Sequence, residues 1–154
     1  MAAYQVLIVG AGCSGAEAAF WLAQKGVRVG LLPQSLDAVM MRFLPPKPPF
    51  PPGSLLERAY DPKDERVWAF HARAKYLLEG LRPLHLFQAT ATGLLLEGNR
   101  VVGVRTWEGP PARGEKVVLA VGSFLGARLF LGGVVEEAGR LSEAPIFIDD
   151  TPDL

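Results

Sequence analysis

Three glycines near the amino end, in Val9-Gly10-Ala11-Gly12-Cys13-Ser14-Gly15, have the spacing of a turn that cradles a phosphate. Gly10 allows a tight turn. Gly12 lets backbone approach a diphosphate with no Cβ in the way, and Gly15 lets the following helix lie close to the strand before it. The helix contributes free N–H groups and a positive dipole end, which hold an anion. Val9 and Ser14 flank the same turn. Cys13 adds a second kind of chemistry, because a thiol at a helix N-terminus is displaced toward its thiolate, which is a nucleophile. That supports a cysteine-dependent ester hydrolase or acyl-transfer site in an emptied cofactor crevice. The alternative is that Cys13 is a small residue tolerated at a variable position of the fingerprint. Histidine could supply a base only from His71 or His85, and Glu17 stands one helical turn beyond Cys13. Both histidines read as structural, and Glu17 reads as a carboxylate that steadies the dipole of its own helix. Arg42 and Arg128 are further candidates for phosphate or cofactor contacts, with surface arginine as the default for each.

These residues need a strand before them and a helix after them. Gln5–Val9 is an apolar run and Ala16–Lys25 is apolar at helical spacing, with Gly26 as its stop. Val27–Leu32 reads as a second strand, buried on both faces. Strand, glycine turn, helix and strand therefore agree on a dinucleotide site. Dinucleotide sites often place Asp or Glu after the second strand to accept from ribose hydroxyls; here Pro33-Gln34 stands there, and an amide can both accept and donate. Pro45-Pro46-Lys47-Pro48-Pro49-Phe50-Pro51-Pro52 can be neither helix nor central strand, and it reads as a stiff polyproline II loop. Ser54-Leu55-Leu56-Glu57 is a capping box for a short helix. A longer helix is expected from Asp61 as N-cap and Pro62 at the first helical position, with Val67, Phe70, Ala74, Leu77 and Leu81 as its buried stripe. Trp68 and Tyr76 read as core or rim beside that stripe. Leu84–Gln88 is a third strand, and Gly93–Leu96 with Val101–Thr106 forms a hairpin around Gly98-Asn99. Gly109-Pro110-Pro111 reads as a turn before a last apolar strand, Val117–Val121. The order implies an α/β fold, a Rossmann-like parallel sheet with a β-meander as one crossover, and a single domain over residues 1–154.

The chain has 154 residues, half of them apolar, with no net charge. No basic surface argues for nucleic acid from charge alone, and no apolar run has the length of a membrane span. One cysteine excludes an internal disulfide and a cysteine cluster, and no metal site is expected. Asp149, Asp150 and Asp153 lack the glycine-containing loop of a calcium site and read as a solvated acidic tail. The amino end has no signal-peptide pattern, so a cytoplasmic setting is expected. One asparagine among thirteen prolines suits a thermophile.

With these residues placed, the chain resembles the glucose-inhibited division protein A (GidA) family of FAD proteins, which modify the wobble uridine of tRNA. Three stretches carry the likeness: Leu7–Gly12 through Gly15–Ala19, Phe87-Gln88 through Arg100–Val104, and Val117–Leu125 leading to Gly139-Arg140. The resemblance implies a glutathione-reductase-type FAD-binding fold and FAD as cofactor. On matching positions, Gly10, Gly12, Cys13, Ser14 and Gly15 would flank the diphosphate, and Gln34, after Pro33, would lie beside the adenosine ribose. Thr90 and Ala91 would offer backbone to the adenine, and Gly122, Ser123 and Phe124 would lie near the middle of the cofactor. The family's active-site cysteine has no counterpart in Ala38–Leu44, and its tRNA-binding regions have none either. The expectation is a small GidA-related flavoprotein, a shortened or engineered derivative of the fold. It would act as an oxidoreductase on a small-molecule substrate, with tRNA an unexpected partner. A non-catalytic nucleotide-binding module is the remaining alternative. A shortened sheet would leave an apolar edge, and pairing with a second copy is the expected remedy.

Overall fold

A computed structural model describes residues 3–122, 129–131 and 133–136. Ser123, Phe124, Arg128 and the acidic residues 149, 150 and 153 lie outside these described residues. The elements run in the order β1 (Tyr4–Val9), α1 (Cys13–Gln24), β2 (Val29–Leu32), α2 (Leu55–Ala59), α3 (Val67–Glu79), β3 (Leu84–Leu86), β4 (Ala91–Glu97), β5 (Arg100–Thr106), β6 (Gly109–Leu119), β7 (Leu129–Leu131) and β8 (Val134–Glu136). Six strands form one sheet in the order β3-β2-β1-β6-β5-β4, and β7 and β8 form a separate antiparallel pair. The first four strands of the large sheet are mutually parallel, whereas β4, β5 and β6 form an antiparallel meander. The sheet is therefore mixed, and the meander is the crossover that returns the chain from β3 to the middle.

Residues alternate across β1 as the pleat requires. Ile8 joins a core with Ala16, Ala19, Phe20, Phe70, Ala74 and Leu78, so the helices cover that face. Leu7 and Val9 point the other way, into a cluster with Leu32, Ala89, Ala91 and Val104 under the meander. All four residues of β2 are buried, as an interior parallel strand demands.

Two expected boundaries are corrected. Gly109-Pro110-Pro111 is the start of β6, an eleven-residue strand. Its early residues pair with β5 (Gly103 opposite Arg113, Val104 opposite Ala112), and its later ones pair with β1 from Tyr4–Gly114 to Val9–Leu119. The prolines are tolerated because they precede the first rung with β1 and fall where the β5 register is irregular. Helix α3 begins at Val67, not near Asp61. An Asp61 side-chain oxygen accepts from the Lys63 amide at 2.9 Å, and this local turn competes with helix. The buried face of α3 is Phe70, His71, Ala74 and Leu78, so the stripe is rotated from the expected one. That rotation leaves Trp68 at 61% and Tyr76 at 78% exposure, neither in the core nor at its rim.

The short helix α2 matches its capping box. The Ser54 hydroxyl accepts from the Glu57 amide at 3.1 Å, and the Glu57 carboxylate reaches back to the Gly53 amide at 3.0 Å. Among the described residues no helix is long and apolar enough to cross a membrane.

Candidate functional site

The carboxyl edge of the parallel strands carries the glycine turn. Gly10 donates to the Leu32 carbonyl at 2.8 Å and the Ala120 amide donates to the Val9 carbonyl at 2.8 Å, so the turn is tied to both neighbouring strands. Gly10 has φ +99°, and a Cβ there would stand 2.2 Å from the Ala120 carbonyl oxygen. At Gly15 a Cβ would stand 1.9 Å from the Gly10 carbonyl oxygen. Only the absence of side chains lets α1 begin this close to the turn and to β6. Gly12 is different, since nothing lies within 4 Å of a Cβ placed on it. It is the N-cap of α1, and no side chain caps the helix. The first turn, Cys13-Ser14-Gly15, therefore presents amides toward an open space.

This is the shape a diphosphate requires: tight where the chain must turn, open where the ligand must approach, with uncapped N–H groups between. The residues fit FAD at this position. Val9, Gly10, Gly12, Cys13, Ser14 and Gly15 are brought together as expected. Gly122, with φ +66° and exposed, follows Ala120 and Val121, which back the turn. Pro33 and Gln34 follow β2, and the Pro33 carbonyl accepts from the Ala89 amide at 3.0 Å, which places Thr90 and Ala91 on the same edge.

Thr90 is not free in the way the sequence suggested. Its amide donates to both carboxylate oxygens of Glu108, at 2.9 and 3.0 Å, and its carbonyl accepts from the Trp107 amide at 2.9 Å. Burial alone would raise the Glu108 pKa, but hydrogen bonds from Thr90 and from Glu108's own amide together outweigh it and hold the carboxyl below the ordinary glutamate value. Ala91 pairs with Thr106 at the start of β4.

Glu17 also departs from expectation. Its carboxylate accepts from the amides of Leu55 and Leu56, at 2.7 and 3.2 Å. It thus steadies the N-terminus of α2 rather than its own helix, and it is drawn away from Cys13. His71 is buried, and its Nδ1 donates to the Val39 carbonyl. His85 sits on β3 opposite Gly30 and so level with Leu7 of β1, and the Tyr4 hydroxyl lies 3.1 Å from its Nδ1. Cys13 instead accepts from the Arg42 guanidinium, with Nη1 3.1 Å from Sγ. Among the described residues no base reaches the thiol, so the nucleophilic arrangement is not assembled there. No group of three potential metal ligands occurs among the described residues.

From the loop between β2 and α2 the sequence offered only Arg42 as a contact, with surface arginine as its default; how the loop is held over the glycine turn was not legible. Met40 is fully buried with φ +52°, a conformation that costs free energy in a non-glycine residue. Its amide donates to the Ala11 carbonyl at 2.8 Å, which pins the loop to the glycine turn and brings Arg42 over the start of α1.

The family model described as glucose inhibited division protein A matches residues 5–45 and 64–147. A tRNA uridine 5-carboxymethylaminomethyl modification enzyme, MnmG, of Chlamydia muridarum is 31% identical over 92% of this chain and 28% of that enzyme. The MnmG of Thermus thermophilus is 30% identical over 94% of this chain and 29% of its own length. The chain thus spans under a third of these curated relatives. The crystal structure of a GidA-related protein, also from Thermus thermophilus, is 93% identical, with a TM-score of 0.88, and covers 99% of this chain and 66% of that one. Aquifex aeolicus GidA superposes with a TM-score of 0.80 at 20% identity, over 94% of this chain and 29% of that one, a likeness of fold.

Proposed function

Because this chain belongs to the glucose-inhibited division protein A family, whose cofactor is FAD, we propose that it holds FAD across the carboxyl edge of its sheet and serves an FAD-dependent oxidoreductase reaction on a small molecule. The observation that carries this reading is the uncapped start of α1, open at Gly12 and closed at Gly10 and Gly15. In this reading the amides of Gly12, Cys13, Ser14 and Gly15 bind the diphosphate, and the Val9 carbonyl and Gly10 hold the turn in register. Pro33 and Gln34 lie beside the adenosine ribose, where the Gln34 amide exchanges hydrogen bonds with hydroxyls. Ala91, with Thr90 held by Glu108, borders the adenine, and Gly122, Ser123 and Phe124 lie near the middle of the cofactor. Bound FAD supplies the electron-transfer chemistry, and the chain supplies position and electrostatics. The MnmG relatives act by name on tRNA, and this chain spans under a third of them. A cytoplasmic setting and self-association belong to the same proposal.

The experiment is direct. Ligand released from the purified protein by heat is identified by mass spectrometry, and stripped protein is titrated with FAD while flavin fluorescence is followed. FAD in the eluate, or saturable quenching on titration, supports the reading. Neither signal, from protein with native circular dichroism, overturns it. Anaerobic addition of NADH or NADPH then tests the redox part, since a pure binding module leaves the visible flavin band unchanged.

A further inference from the structure

We propose that Arg42 is the side chain that grips the diphosphate of the cofactor, an inference that rests on the FAD reading above. Nothing in the spacing of the glycine turn calls for this residue, which lies 29 positions beyond Cys13.

A helix N-terminus carries a partial positive charge, and a cation placed beside it is unfavourable. The chain nevertheless places a guanidinium there, with Nη1 3.1 Å from the sulfur of the first residue of α1. Its other bond among the described residues runs from Nε to the Leu44 carbonyl at 3.4 Å. No carboxylate pairs with Arg42 among the described residues, and the first turn of α1 holds no acidic residue. Two positive groups with no acidic partner among the described residues thus meet at the first residue of α1, beside the open position at Gly12, and an anion there would satisfy both.

The placement is built into the fold. Val39 and Met40 are fully buried, the Val39 carbonyl is held by His71, and the Met40 amide is held by the Ala11 carbonyl. Met40 adopts φ +52° to make that link. Two residues later the chain presents Arg42. Much of the ordering that a flexible arginine requires is therefore complete before a ligand arrives. A planar guanidinium offers two parallel donors to phosphate oxygens, which an ammonium cannot. Cys13 takes a defined part in this picture: its sulfur is the resting acceptor that holds the guanidinium in place, and a diphosphate competes for the same donors.

The test uses the full chain stripped of ligand, with FAD, ADP and riboflavin as probes in fluorescence and calorimetric titrations. Arg42→Ala should weaken FAD and ADP by a common factor of roughly 10- to 100-fold, the span of one charge-assisted contact. Arg42→Lys should recover part of that loss by restoring the charge without the fork. Raising salt should weaken the wild type more than Arg42→Ala. Riboflavin, which has no phosphate, should not distinguish the variants. Equal FAD and ADP affinities for wild type and Arg42→Ala at low and high salt would overturn the inference while leaving the FAD reading standing. A wild type that binds neither FAD nor ADP overturns both. The circular dichroism melt of Arg42→Ala should match the wild type, since the side chain is exposed.

Discussion

Replacing Gly15 by alanine puts the close approach of α1 to the glycine turn under direct test. The new Cβ would stand 1.9 Å from the Gly10 carbonyl oxygen, 3.0 Å from the Gly10 carbonyl carbon and 3.2 Å from the Ala120 Cβ. Ordinary contact begins at 3.4 Å, so the first turn of the helix must retreat by about 1.5 Å. The obstructing atoms are backbone, and no rotamer change can relieve them. Overpacking of this kind costs about 1–3 kcal/mol, and the better helix propensity of alanine returns up to about 1 kcal/mol. A net loss of about 1–2 kcal/mol would lower the urea midpoint by about 0.5–1 M for a slope of ~2 kcal/mol per molar. The retreat also moves the amides that meet the diphosphate, so FAD affinity should fall together with stability. Gly12→Ala is the comparison. Gly12 has φ −71° and open space around it, so alanine costs only the cap preference, about 0.5–1 kcal/mol. Its methyl group would occupy the ligand's path, and FAD affinity should fall more than about tenfold. Urea denaturation followed by circular dichroism, paired with FAD titration, separates the two. An unchanged midpoint for Gly15→Ala would refute the close approach. Unchanged FAD binding by Gly12→Ala would refute the position assigned to the diphosphate.

Two other substitutions probe what surrounds the site. Glu17→Gln replaces a charged acceptor of two amides by a neutral one and should cost about 1–2 kcal/mol in a thermal melt, with protection of the Leu55 and Leu56 amides lost first on hydrogen exchange. The Glu108 carboxyl is held below its ordinary value, so its clamp on Thr90 is fully formed above the ordinary glutamate range and is lost as pH falls through the lower folded value. Wild type should therefore lose urea resistance on acidification through that window, and Glu108→Gln should show a shallower loss. Parallel acid limbs for the two proteins would show that the Thr90–Glu108 bonds contribute nothing.

Local signals in this chain come from short-range sterics. Three glycines between an apolar strand and an apolar-periodic helix admit few conformations, and the turn, α1 and β2 follow from them. Ser54 and Glu57 lie three residues apart, so their reciprocal bonds form within one turn of helix. The hairpin of β4 and β5 needs only Gly98 and its neighbours. Where the sequence misled, a second local option competed. Asp61-Pro62 satisfies the rules for a helix start, yet the Asp61 side chain closes a smaller turn first. Gly109-Pro110-Pro111 has the composition of a turn, yet it lies at the one stretch of β6 where missing donors are harmless.

Residues far apart in the chain were settled by tertiary packing. The sequence by itself determined the phosphate-cradling turn, because Gly10, Gly12 and Gly15 constrain one another within six residues. The tertiary structure decided that Arg42 reaches Cys13, that Glu17 serves α2, that Glu108 holds Thr90, and that one strand joins the parallel sheet to the meander. The three side-chain contacts and the β1–β6 pairing join segments from 18 to more than 100 residues apart, and their partners are chosen by how two buried faces fit around one sheet. Backbone geometry within a turn is fixed by neighbours in sequence; the meeting of distant side chains is fixed only once the core has closed.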